Sequence, residues 1–334
     1  MFFSRISSDA NRFNIVSLTT CCKTMINKEK FIRKIRIGRL RTFGGRLLIY
    51  AFLTGISYLL LFPFLYMVVT SVKNYSDLYD FTVKWVPHEF HWQNYAIAYN
   101  LLNYWNHFGN SLMLTTVCTL GHLLSASFIA YGFARYSFPG KKILFFILLL
   151  LIIIPPQVII VPSYMLFSNI NWERSYLPLI VPCFFGAGLK GGLFIYIFRQ
   201  FYLNLPKDIE NAAKIDGCNY LQTYLKIVLP MGKSSLLVAL ILSAVWHWND
   251  YYEPSIYATG SSMILLPQKT YMLTELVSNP PFELISQFVT GEGNPINTAT
   301  LMAGTVMCLA PLILLFSVLQ TRFMEGIERT GLVE

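Results

Sequence analysis

Residues 206–230 read PKDIENAAKIDGCNYLQTYLKIVLP, a polar stretch between long apolar segments, and the rest of the chain is arranged around it. Ile209, Ala212 and Ala213 fall on one helical face and Lys207, Glu210, Asn211 and Lys214 on the others, so the first half is a short amphipathic helix. Pro206 is tolerated in its first turn, and Asp208 and Glu210 suit the positive end of its dipole. Gly217 then interrupts the pattern, because glycine alone reaches left-handed backbone angles without strain. In a second short helix Leu221, Tyr224, Leu225 and Val228 form an apolar stripe, and Pro230 is expected to end it. The product is a bent, two-helix knob.

On either side of the knob the chain is apolar. Hydrophobic residues make up 54% and charged residues 13%, concentrated in runs too long for a soluble core, which excludes an ordinary globular domain. Segments of membrane-crossing length are expected at 47–70, 110–134, 143–167, 178–200, 235–257 and 299–321, giving an all-α integral membrane protein with six transmembrane helices. The net charge of +9 does not mark a nucleic-acid binder, because most of the 26 Lys and Arg lie at helix ends, in 1–46, 135–142, 199–234 and the C-terminal end. That side is expected to be cytoplasmic, so both termini and the knob face the cytoplasm and the lipid bilayer is the solvent of the rest. Residues 1–46 form a basic tail without the apolar run of a signal peptide, and translation begins at Met1 or at Met25, which opens MINKEKFIRK. The adjacent Cys21-Cys22 and the scattered Cys118, Cys183, Cys218 and Cys308 show no disulfide framework or metal spacing.

The spacing Ala212-Ala213, Asp216-Gly217 and then Ile227, Leu229 and Pro230 resembles the "EAA" loop of binding-protein-dependent ABC importer permeases, in the carbohydrate branch that includes the maltose-type permeases. The glutamate that precedes the two alanines in that family reads Asn211 here, with Glu210 one place earlier. PFLYMVVTSVK at 63–73, IPPQVIIVPSYMLF at 154–167, FRQFYLNLPKDIE at 198–210 and WND at 248–250 extend the resemblance over nearly the whole chain. It implies the ABC importer type I (MetI-like) permease fold in a bacterial cell membrane, organised as tail 1–46, first transmembrane helix and extracellular loop 47–109, and permease core 110–334. The implied partners are a second homologous permease subunit, two ATPase subunits that bind ATP and Mg, and an extracellular solute-binding protein. In that scheme the knob is the coupling helix, and small Ala212 and Ala213 let the ATPase surface approach its backbone closely.

Pathway candidates are Pro155, Pro156 and Gln157, then Lys190, then Trp248, Asn249 and Asp250. Pro155-Pro156 interrupt a membrane helix, where freed carbonyls need neighbouring helices or a water-filled cavity; a kink lining a pathway and a packing kink both satisfy this. Lys190 sits among Gly186, Gly188, Gly191 and Gly192, either facing a cavity or a paired group from within the fourth helix, or at the outer end of a helix that starts later. The tryptophan-rich loop 74–109 is an interfacial belt or a docking surface for the binding protein, and 258–297, with Pro280-Pro281 and Gly291-Glu292-Gly293, is too polar to span. His88 and His91 make an HxxH pair without the further ligands a metal needs.

Gly232-Lys233-Ser234 looks like the end of a phosphate-binding loop, yet the required first glycine reads Ile227 and Pro230 intervenes. His247 stands near Asp250 without a nucleophile context. The chain is therefore expected to hold no catalytic residue, metal or cofactor of its own. The function expected is alternating-access import of a sugar or oligosaccharide, with ATP hydrolysed by a partner. An ion-coupled secondary transporter is the alternative from another class, and it lacks intramembrane carboxylates beyond Asp250 and Glu253; a non-sugar substrate for the same permease fold is the other.

Overall fold

Proline and glycine set where each helix begins and ends. The computed structural model describes residues 45–288 and 294–331. The tail readings, including Cys21-Cys22 and Met25, and the Gly291-Glu292-Gly293 reading lie outside the described residues. The described residues divide into two units between Tyr66 and Met67. In the first, the described part belongs to α1 (Gly45–Ser71), long and apolar enough to cross a membrane. No strand occurs among the described residues.

The second unit is built around α4 (Tyr104–Arg135), the second helix of spanning length. It packs against α7 (Leu177–Phe184), α8 (Gly191–Asn204) and α12 (Lys233–Asn249). The third helix of spanning length is α16 (Thr298–Gly331), which packs on α12 and on α3 (Gln93–Leu102). Small residues on α4 permit the close approach: a Cβ added at Gly121 would meet the Phe184 ring at 3.0 Å and the Cys183 Cβ at 3.1 Å. A core joins Ala126, Ala130, Phe194, Phe198, Tyr202 and Ala239 across α4, α8 and α12.

Three expected segments are broken. Segment 143–167 becomes α5 (Lys141–Ile153) and α6 (Pro156–Asn169), bent by 106°. Pro155 holds Ile154 extended (φ −68°, ψ 120°), and Pro156 can only start a helix there, so the expected kink is a full corner. Segment 178–200 divides into α7, of 8 residues, and α8, of 14, neither long enough to cross alone. Lys190 is the N-cap of α8 at φ 61°, so it lies in the break, and the helix starts after it. Segment 235–257 stops at Asn249, where Asp250 turns extended and α13 (Tyr252–Tyr257) begins anew. Three helices are thus long and apolar enough to cross a membrane by themselves, or up to five if each bent pair counts as one span; α7 and α8 together occupy the remaining expected segment.

Loop 258–297 is more structured than its polarity suggests. It carries α14 (Leu266–Ser278), whose Leu266 and Leu273 are fully buried, and α15 (Phe282–Phe288). The loop after α1 is also ordered, beginning with α2 (Tyr75–Tyr79), and buried Lys73 donates from Nζ to the Val83 carbonyl (2.6 Å). Buried Asp77 accepts from the His88 backbone N–H (2.9 Å) and from His88 Nδ1 (2.7 Å). That side-chain hydrogen bond, with the Asp77 charge, raises the His88 pKa above its ordinary value. Because the folded value exceeds the unfolded one, this contribution is fully present below about pH 6.5 and is lost as pH rises through the folded value. Hydrogen exchange of residues 75–91, corrected for intrinsic rates, should therefore quicken on the alkaline side of that transition, and Asp77→Asn should remove the pH dependence; a pH-independent wild type would contradict it.

Candidate functional site: the knob and the cavity behind it

The knob forms as α9 (Lys207–Ile215), α10 (Tyr220–Thr223), a π-helical turn at Tyr224–Val228 and α11 (Leu229–Met231). Gly217 has φ +83°, and the backbone closes a Schellman motif: the Cys218 N–H donates to Ala213 O (2.9 Å) and the Gly217 N–H to Lys214 O (3.1 Å). Asn219 and Gln222 then make a reciprocal capping box. Pro230 does not end this second helix. It sits two residues after the π turn, which accommodates the missing N–H and the bulk of the ring, and the chain turns by 76° only at Gly232.

The face of α9 that turns inward is not the apolar one. Glu210 and Ala213 are buried while Ile209 and Ala212 are exposed. The cause is Arg135 at the end of α4. Its Nε lies 2.6 Å from Glu210 Oε1, an ion contact off the line of the N–H, and its Nη2 donates to the Leu205 carbonyl at 2.8 Å. Tyr131 adds a long hydrogen bond from its hydroxyl to Glu210 Oε2 (3.3 Å). Deeper in, the Ser127 hydroxyl meets both Tyr202 OH (2.7 Å) and Tyr224 OH (2.8 Å), tying α4, α8 and the π turn at one point. Sequence reasoning passed over Arg135 as one more basic helix end; its place directly after an apolar run was the available signal.

The outer surface of the knob carries exposed apolar side chains among polar ones. Ile215 is 87% exposed, and Tyr220, Leu221 and Leu225 are each at least half exposed. Asn211, Asp216 and Pro230 are exposed beside them, and Ile227 and Leu229 are half-buried.

A cavity of about 380 Å³ opens where α5, α6, α7 and α8 are broken. Pro156, Ser163, Pro182, Gly186, Lys190 and Glu253 contribute to its wall. Lys190 is exposed and acts electrostatically on Glu253 from α13. The broken backbone is satisfied by α4: the Ser125 hydroxyl donates to the Cys183 carbonyl (2.6 Å) and accepts from the Gly186 N–H (3.1 Å). Of the other pathway candidates, Pro155 and Gln157 are exposed. Trp248 is buried, donating to the Cys308 carbonyl (3.0 Å) and meeting Phe108 edge-on. Asn249 is exposed, and Asp250 accepts from the Tyr252 N–H (3.0 Å) to start α13.

A bundle of apolar helices broken around a cavity carries between two of them a bent knob of short helices, and its family makes it a membrane transport component. Residues 122–329 match the family model described as "Binding-protein-dependent transport system inner membrane component", and the chain belongs to that family. It is the permease component of an ABC importer and not a catalytic subunit. It is 27% identical over 279 residues to the arabinooligosaccharides transport system permease protein AraQ of Halalkalibacterium halodurans, covering 83% of this chain and 92% of that one. The sn-glycerol-3-phosphate transport system permease protein UgpE of Yersinia enterocolitica is 24% identical over 275 residues, 80% of this chain and 91% of that one. Among solved structures, a bacterial ABC transporter involved in the import of the acidic polysaccharide alginate aligns with a TM-score of 0.70 at 22% identity, covering 85% of this chain and 97% of that one, which shows the fold.

Proposed function

We propose that this chain is the transmembrane subunit of an ATP-driven importer for a sugar or oligosaccharide, working by alternating access. It pairs with a second permease subunit, two ATPase subunits holding ATP and Mg, and an extracellular solute-binding protein. Both termini lie in the cytoplasm, with 1–46 as a tail, 47–109 as first span and external loop, and 110–334 as the core. The single observation that carries this reading is the knob: its apolar surface faces outward while a buried ion pair holds its inner face to α4. Such a surface suits a protein cleft, and Glu210, Asn211, Ala212, Ala213, Asp216, Gly217, Ile227, Leu229 and Pro230 form the coupling element that meets the ATPase. Pro155, Pro156, Gln157, Lys190, Trp248, Asn249 and Asp250 belong to the translocation region. The arabinooligosaccharide system named for AraQ supports a carbohydrate as cargo. An anionic sugar, phosphorylated or uronate-bearing, is a second reading favoured by Lys190 in the cavity wall. Binding assays on the cognate solute-binding protein separate the two.

The test is reconstitution in liposomes with the partner subunits. Wild type should show binding-protein-stimulated ATP hydrolysis and uptake together. Gly217→Val should assemble but lose both, since no atom crowds a Cβ there and the defect is the left-handed backbone, which costs a β-branched residue about 1–3 kcal/mol. Normal uptake by that variant at wild-type abundance removes the coupling role of the turn, and failure to recruit any ATPase overturns the importer reading.

A further inference from the structure

We infer that Cys118, His122, Cys183 and His247 form a binding site for a thiophilic divalent cation of the Zn²⁺ class, closing α4, α7 and α12 around one point. Neither the coupling knob nor the cavity wall uses these side chains. All four are buried: both thiols are fully enclosed, His122 is 1% exposed and His247 7%. One ligand atom each from Cys118, Cys183 and His247 lies within 4.8 Å of the others, and Cys183 Sγ is 4.0 Å from His247 Nε2. With Zn–S of about 2.3 Å and Zn–N of about 2.0–2.1 Å, tetrahedral ligands sit roughly 3.3–3.8 Å apart, so small inward shifts suffice.

His122 is the second, independent observation. It stands one helical turn after Cys118 on the same face of α4, its ring stacks on His247 at 5.2 Å, and it acts electrostatically on the Cys183 thiol. Neither of its ring nitrogens makes a hydrogen bond of good geometry among the described residues, although the side chain is enclosed and the Cys183 thiol lies within reach of the ring. A buried imidazole so poorly partnered is costly, and a metal would satisfy one nitrogen directly.

Charge selects the class of ion. Binding requires both thiols as thiolates, so two protons leave as the cation enters, and two thiolates with two neutral imidazoles balance a +2 charge in a medium that disfavours net charge. Both thiols now lean on the Leu179 carbonyl, at 3.5 Å from Cys118 and 3.1 Å from Cys183, weak donors readily given up. The glycine wall of the cavity provides the route. A Cβ at Gly188 would lie 3.1 Å from Cys183 Sγ and one at Gly191 3.5 Å from His122 Cε1, so these two glycines of the cavity wall abut the site.

The experiment uses the full chain purified with its partner subunits, loaded with Zn²⁺, passed into metal-free buffer and assayed by plasma mass spectrometry, with Cd²⁺ loading to read thiolate-to-metal absorption. Wild type should retain one equivalent per chain and show the Cd²⁺ band. Cys118→Ala/Cys183→Ala should lose both signals, whereas Cys21→Ala/Cys22→Ala/Cys218→Ala should keep them, which excludes the remaining exposed or terminal thiols. The near-isosteric Cys183→Ser gives the same reading if the double variant fails to assemble on gel filtration. A wild type that retains no metal, or a Cys118/Cys183 variant that retains it undiminished, overturns the assignment. Uptake remains a separate measurement, so failure of the metal site leaves the transport reading standing.

Discussion

Arg135→Met should abolish uptake while the bundle still assembles. The substitution leaves Glu210 enclosed at the end of α4 without a counter-charge, and stranding one partner of a buried ion pair costs about 3–5 kcal/mol. The cheapest escape is for α9 to swing Glu210 into water, because the knob is joined to the bundle by little else on that side. Limited proteolysis should then cut within 206–232 in the variant and not in wild type. Replacing both charges by apolar residues of similar size is commonly tolerated, so Arg135→Met/Glu210→Leu should regain protease resistance and part of the uptake. Wild-type uptake by the single variant, at wild-type abundance, would show that the pair does not hold the knob.

Gly191→Ala is the second large effect. Here the residue is needed for close approach: an added Cβ would stand 2.5 Å from the Gly186 carbonyl oxygen and 2.9 Å from its carbon. Backbone cannot yield as a flexible side chain can, since Ser125 of α4 binds the Gly186 N–H and the Cys183 carbonyl. Overpacking of this kind costs about 1–3 kcal/mol, and a backbone obstacle puts it at the upper end or beyond. The break between α7 and α8 should open, with lower thermal stability of the complex and uptake lost. Gly132→Ala, where nothing lies within 4 Å of the added carbon, is the control and should behave as wild type.

The knob was legible because its determinants are local. A glycine at the left-handed position, alanines on one helical face and an amphipathic spacing need no distant partner to be read. The corner at Pro155-Pro156 was legible as an interruption but not as a 106° turn, since its angle depends on what packs against α6. Glu210 was misread for a related reason: helical periodicity alone assigns a carboxylate to the outer face, and only Arg135, far away in sequence, reverses that. The break at 185–190 announced itself as a cluster of glycines, yet the serine of α4 that satisfies it carries no sequence signal. Cys118, Cys183 and His247 come singly from three helices, so no spacing rule could gather them.

The hydroxyl contact of Ser127 with Tyr202 and Tyr224 also has a mechanical meaning. Tyr202 stands near one end of α8 and Gly191 begins the other, beside the cavity. A helix of 14 residues is a strut about 21 Å long, stiff along its axis. Fastened to the knob at one end, it works as a lever arm: a displacement of about 2 Å there becomes a tilt of about 5° about the glycine fulcrum at the other. Motion at the knob is then expected to reach the chamber as a change in its shape.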